Sequence, residues 1–179
     1  MSEDEGADIY TIGHSTRSLE ELVEALRSHG VQMLVDIRSV PRSRHVPQFN
    51  QDVLAEALPA AGIEYGHMPA LGGWRKGSLP DSPNAGWRSP GFRAYADHML
   101  SDEFADALER LTALARQRPI AYMCAEATPY RCHRSLVSDA LTARGLRVRH
   151  IMGPGTSQAH RLTSFARMEG GRVTYPPPG

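Results

Sequence analysis

Both cysteines of this chain, Cys124 and Cys132, stand with Glu126, Arg131, His133 and Arg134 in one short stretch, Met-Cys-Ala-Glu-Ala-Thr-Pro-Tyr-Arg-Cys-His-Arg. A thiolate is a nucleophile when nearby cations and a helix N-terminus stabilise it. Arg131 and Arg134 are the cations on offer, and Glu126 or His133 the acid–base partner. Cys132 and His133 lie at the expected helix start, where a thiol also acidifies. Three other readings of the same residues stand beside this one. Free cysteine packs like a small hydrophobe, so Cys124 could be an inert core thiol. Adjacent Cys-His also suits a metal, with Cys124, Glu126 or His14 completing the set. Compact zinc sites, however, space their cysteines two to four residues apart, and Cys124 and Cys132 are eight apart. A reversible disulfide between the two requires the turn to fold back until their Cα atoms lie within ~7 Å.

The elements that must position this stretch are a strand before it and a helix behind it. Ile120 to Cys124, bounded by Pro119, reads as a short buried strand, and Leu136 to Ala143 as a helix closed by Gly145. The same alternation runs through the chain. Ile9–Ile12 and Met33–Arg38 read as strands, and Ile63–Tyr65 starts a third. Leu19, Leu22, Val23 and Leu26 recur at helical spacing, with Ser18 and Glu21 placed as a capping box. Helices are expected over 51–61, 92–100 and 104–117, and a last strand over 146–151. Such alternation implies an α/β fold, a mainly parallel sheet of about five strands with helices on both faces. Residues 1–152 form the expected domain, and 153–179, rich in Gly, Ser and Arg and closing on Pro-Pro-Pro-Gly, an irregular, loosely held tail.

In a parallel sheet the turns after the strands share one edge, where α/β folds place their ligands. The first turn brings Gly13, His14, Ser15 and Thr16, whose hydroxyl and N–H groups suit an oxyanion. The second brings Asp36, Arg38, Arg42, Ser43, Arg44 and His45; Asp36 and Arg38 also fit a structural ion pair. The fourth is the cysteine turn. Residues 71–90 form a loop longer than the ~12–15 residues of ordinary connections, as lids and binding loops do. It carries both tryptophans, Trp74 and Trp87, each followed by arginine, together with Lys76. Aromatics beside cations suit bases or phosphates; indoles folded back over the sheet edge are the plainer alternative.

Acidic and basic residues balance at 20 each, so net charge gives no pull toward nucleic acid or acidic membranes. Lys76 is the only lysine among the basic residues, and arginine favours bidentate oxyanion recognition. Two cysteines do not make a disulfide framework and point to a reducing, cytoplasmic setting. The acidic N-terminus lacks the apolar core of a signal peptide. No apolar run reaches the ~18 residues of a membrane span.

Ile12-Gly-His14-Ser15, Leu34-Val-Asp36-Ile-Arg38-Ser-Val-Pro41-Arg-Ser43-Arg44, Leu71-Gly-Gly73, Met123-Cys124-Ala-Glu126, Cys132-His-Arg134 and His150-Ile151 resemble the domain-of-unknown-function family 488. The resemblance implies a Rossmann-like three-layer α/β domain and no assigned activity. It implies His14, Asp36, Arg38, Arg44, Cys124, Glu126, Cys132, His133 and Arg134 as signature positions. The strand–cysteine–arginine–helix layout is more distantly similar to rhodanese-like sulfurtransferases, whose short loop cradles an anion with N–H groups. Here the loop departs from that pattern: it lacks glycine and contains Pro129.

Two functional classes follow. One is an enzyme with Cys124, or else Cys132, as nucleophile, Glu126 or His133 as acid–base partner, and a small phosphate- or sulfur-containing anion held by His14, Ser15, Asp36, Arg38, Arg44, Arg131 and Arg134 under Trp74 and Trp87. The other is a nucleotide- or nucleic-acid-binding module using the Arg/Trp loop. No Walker loop or dinucleotide fingerprint follows a strand, so no cofactor is expected; a metal at Cys124, Cys132 and His133 is left open.

Overall fold

The computed structural model describes residues 7–77 and 79–177. The acidic first six residues, Ser78 and the last Pro-Gly pair lie outside the described residues. Strands β1 (Ile9–Gly13), β2 (Met33–Asp36), β3 (Glu64–His67), β4 (Ile120–Cys124) and β5 (Val148–Gly153) form where apolar runs end in polar turns. Helices α1 (Leu19–Ser28), α2 (Gln51–Ala60), α3 (Pro90–His98), α4 (Asp102–Gln117) and α5 (Arg134–Ala143) lie between them. The capping box forms: Ser18 Oγ accepts from the Glu21 N–H at 3.1 Å, and a Glu21 carboxylate oxygen from the Ser18 N–H at 2.9 Å. Such a cap holds the first turn by about 1 kcal/mol.

The five strands are parallel in the order β3-β2-β4-β1-β5. A strand alternates its side chains between faces, and the two cores follow that alternation. Ile12, Leu34 and Met123 pack on α1 and α2 through Leu22, Leu26, Leu54 and Leu58. Ile9, Val35 and Tyr122 pack on the other face against Tyr95, Phe104, Leu111, Leu136 and Leu141 from α3, α4 and α5. The result is the expected three-layer α/β arrangement.

The C-terminal stretch corrects the reading of a loose tail. Thr156–Ala159 adds a sixth, antiparallel strand (β6) beside β5. Arg167–Glu169 (β7) and Arg172–Thr174 (β8) form a hairpin through Gly170 and Gly171, both in the left-handed region. Val173 and Tyr175 then bury completely or nearly so against α5. These strands are too short and too polar to show a period, and only tertiary contact orders them.

Gly13 sits opposite Cys124 in the sheet, and a Cβ there would stand 1.7 Å from the Glu126 carbonyl oxygen. That atom is backbone, so β1 and the cysteine turn must separate. Gly13→Ala is expected to lower the urea midpoint by the equivalent of about 3 kcal/mol, the upper range for overpacking. Gly153→Ala, in β5 with open space around it, should change the midpoint little. Equal midpoints for the two variants would contradict the close approach.

Candidate functional site

Because β4 lies between β2 and β1, the turns after these strands open side by side. The register sets Gly13 beside Cys124 and Asp36 beside Met123. Backbone bonds carry the strands' alignment into the turns: the His14, Ser15 and Ile37 N–H groups donate to the carbonyls of Cys124 (3.0 Å), Ala125 (2.9 Å) and Met123 (3.0 Å). The first-turn N–H groups, read in the sequence as oxyanion donors, are thus occupied. Ser15, held at a left-handed φ of 48°, does not reach the cleft.

The cysteine turn folds back through a single 3₁₀ turn at Pro129–Arg131. It brings the Cys132 and Cys124 sulfurs to 2.6 Å, both free thiols and both buried. Cys132 donates its proton to Cys124, and His133 Nδ1, 3.3 Å from the Cys132 sulfur, is a second acceptor. The histidine tautomer follows from the other ring nitrogen: Nε2–H donates to the Ile37 carbonyl at 2.9 Å, leaving Nδ1 with its lone pair. Burial pushes His133 down to about 4, so the ring is neutral at ordinary pH. Burial opposes ionisation of Cys124, but the Cys132 hydrogen bond and the Arg134 charge outweigh it and bring the thiol down to about 7. The same hydrogen bond, with burial and the Cys124 charge, pushes Cys132 well above the ordinary thiol range. Cys124 is therefore the more acidic thiol of the pair and Cys132 its hydrogen-bond donor.

Helix α5 contributes less than its N-terminus suggested. Its first N–H groups are taken by the Cys132 and His133 carbonyls. The acidifying charge comes instead from Arg134, which points away from the cleft and is fully buried. Its guanidinium donates to Thr11 Oγ1 (2.9 Å) and to the carbonyls of Glu126 (2.9 Å) and Ala127 (3.3 Å). The similarity to rhodanese-like loops is accordingly not confirmed, since here carbonyls, not N–H groups, face inward. Beyond Thr11 a hydrogen-bonded file continues. Thr11 Oγ1 donates to His150 Nδ1 (2.6 Å), His150 Nε2 to His160 Nδ1 (2.8 Å), and His160 Nε2 to Asp139 (2.7 Å). Thr163 and Tyr175 hold the far side of that carboxylate. The file runs from a cation to a carboxylate, and with both imidazoles neutral each donor along it points toward Asp139. Burial and the neighbouring charges push His150 down to about 2.

Asp36 is likewise a support. Its buried carboxylate binds the Arg38 Nε and Nη2 at 2.9 and 2.6 Å and accepts from Tyr65 at 2.6 Å. Arg38 is left with Nη1 near His14 Nε2 at 3.3 Å. His14 stacks on Phe49 and donates through Nδ1 to the Ser15 carbonyl; burial lowers its affinity for a proton. The structural ion pair of Asp36 and Arg38 forms, and Arg38 also lies on the cleft wall.

A cleft of about 570 Å³ opens where the three turns meet. Cys124, Cys132, His133 and Glu126 lie along it with His14, Arg38, Arg131 and Trp74. Ser15, Asp36, Arg44, Trp87 and Arg134 do not. Arg44 is exposed outside the cleft. Trp87 packs on Phe92, Phe165 and Tyr175, the folded-back alternative, while Trp74 stands 77% exposed at the mouth. Glu126 is exposed and meets Cys124 only through its backbone carbonyl. Arg75 bonds the carbonyls of Pro69, Ala70 and Gly72, so it braces the loop. Asp97 ties the same loop down through Leu79, Ser82 and Asn84. Two other depressions, each near 610 Å³, hold no thiol. Among the described residues no group of three or more His, Cys, Asp or Glu is arranged to hold a metal ion.

Residues 18–141 match the domain of unknown function DUF488. The chain belongs to the DUF488 family. No curated protein and no solved structure compared with it matches. The DUF488 match spans Asp36, Arg38 and the whole cysteine turn, but not His14 or His150. In this DUF488 chain the residues that sequence reasoning passed over are Thr11, Asp139, His160 and Tyr175; His150 entered only through the resemblance. A signal for Asp139 was present: it interrupts the apolar face of α5 together with Ser135 and Ser138, all buried. No described helix is long and apolar enough to cross a membrane.

Proposed function

We propose that this chain is an enzyme that uses the Cys124 thiolate as a nucleophile on a small anionic substrate. The observation carrying this reading is the contact of two buried thiols at 2.6 Å beside the cleft, with Arg134 behind them. A buried guanidinium bonded only to neutral groups lacks an adjacent counter-ion, and a thiolate supplies one. Arg38 and Arg131 on the cleft wall favour an anion, and Trp74 offers a flat face to an aromatic or planar portion of it.

The test is the pH dependence of alkylation of the native protein, with each cysteine read by peptide mass. Cys124 is expected to react first, with an apparent pKa near 7, and Cys132 to stay protected for as long as Cys124 is unmodified. Protection of both thiols until the protein unfolds would remove the nucleophile. The exposed Trp74 is the one observation favouring a nucleotide-binding module instead. That module predicts binding that weakens steeply with salt and is indifferent to replacement of either cysteine.

A further inference from the structure

We propose that Cys124 and Cys132 act in sequence as a dithiol exchange centre for small anionic substrates with a sulfur–sulfur bond, Cys124 attacking and Cys132 resolving. The proposal rests on the nucleophile reading above and narrows it to a substrate class. It comes from where the second thiol stands. Any group carried on the Cys124 sulfur has the Cys132 sulfur as its nearest neighbouring nucleophile, 2.6 Å from Cys124 before reaction. A thiol can attack that sulfur only when the group on it can leave with the electron pair. An acyl or phosphoryl group on Cys124 cannot leave in this way; it is opened by attack at carbon or phosphorus, which forms no bond between Cys124 and Cys132. A sulfur substituent leaves as a thiolate, by the ordinary course of thiol–disulfide exchange.

The steps balance. The Cys124 thiolate attacks one sulfur of R–S–S–R, the substrate S–S bond breaks, and the first R–S⁻ leaves with the pair. Cys124 now carries –S–R and no charge. The hydrogen bond and the charge of Cys124, which with burial keep Cys132 protonated, are thereby removed. The Cys132 proton passes to His133 Nδ1, its remaining acceptor at 3.3 Å, and on to a departing thiolate. Cys132 attacks the Cys124 sulfur, the Cys124–S–R bond breaks, and the second R–SH leaves. Two electrons and the one Cys132 proton pass from the cysteine pair to the substrate, giving one R–S⁻, one R–SH and a Cys124–Cys132 disulfide. A dithiol reductant returns the pair to thiols by the reverse exchange. Little movement is needed, since closing from 2.6 Å to the ~2.05 Å of a disulfide is a shift of side chains already in contact.

The experiment uses the disulfide of thionitrobenzoic acid, an anionic aromatic probe whose released thiolate is coloured. Wild-type protein at neutral pH should release two thionitrobenzoates per chain and finish, by mass, with no adduct and a Cys124–Cys132 disulfide. Dithiothreitol should then restore both thiols. Cys132→Ser should release one thionitrobenzoate and retain the adduct on Cys124, the second release being lost. Wild-type mass alone decides the matter if a variant does not fold. A stable adduct on wild-type Cys124, with Cys132 still a thiol or separately labelled, overturns the exchange while leaving Cys124 a nucleophile. No reaction at Cys124 in the native protein overturns both.

Discussion

Replacing Arg134 by methionine is expected to raise the apparent pKa of Cys124 by one unit or more and to slow its alkylation at pH 7 about tenfold. The guanidinium is fully buried and acts on the thiol through its charge. One unit of thiol pKa is about 1.4 kcal/mol of interaction with the thiolate, a modest demand on a charge this close in a buried setting. The stability effect is separate. Methionine fills similar space but leaves Thr11 and the carbonyls of Glu126 and Ala127 without their donor. An unsatisfied buried group costs about 1–3 kcal/mol, partly offset because a buried cation is no longer desolvated. A net loss of about 2 kcal/mol is expected. Arg134→Lys separates the two effects: it keeps the charge and loses the fork, so the thiol should stay acidic while the midpoint of unfolding falls. Alkylation profiles and urea denaturation on the three proteins check this. An unchanged Cys124 profile in the methionine variant would mean that the Cys132 and Glu126 contacts acidify the thiol without Arg134.

That Arg134 works from behind the site explains much of what the sequence could and could not show. Strand and helix positions followed from apolar period and caps because those signals are local: Ser18 with Glu21, the run at Ile120, Gly145 after α5. The meeting of three turns followed once the sheet was parallel, although the insertion of β4 between β1 and β2 is not written in any local pattern. Direction was the hidden quantity. Arg134 and Arg131 stand three residues apart in one turn, yet one is sealed beneath it and the other lies on the cleft wall. Trp74 and Trp87 have the same composition around them and opposite fates. Trp87 turns inward because Phe165 and Tyr175, far along the chain, complete its pocket. The Thr11–His150 bond joins residues 139 apart. No spacing rule predicts such a contact, and the tail that holds the anionic end of the file is the segment whose sequence reads as disordered.

The buried histidines of that file and of the site make a second large effect, steep loss of stability in mild acid. Burial pushes His133 down to about 4 and His150 down to about 2, and His14 and His98 are shifted in the same direction for the same reason. In the unfolded chain each returns to ~6.5. Below that pH the unfolded state binds protons that the folded state refuses, so stability present above ~6.5 is lost as pH falls. For His133 the loss is complete near its folded value of about 4, and for His150 it continues toward about 2. Each fully refused proton steepens the curve by about 1.4 kcal/mol per pH unit, so His133 and His150 alone remove about 3 kcal/mol between pH 6.5 and 5, a large part of the ~5–15 kcal/mol stability of an ordinary domain. The shifted carboxylates do not produce this limb. Asp8, Glu21 and Glu64 are lowered by their hydrogen-bond partners, and their contribution is lost only below about pH 4. Urea denaturation across pH 5 to 8 is therefore expected to show a plateau near neutrality and a fall beginning close to pH 6.5. A curve flat down to pH 5 would mean that His150 and His133 accept protons in the folded protein, and the one-way file from Arg134 to Asp139 would then have to be redrawn with a charged imidazole inside it.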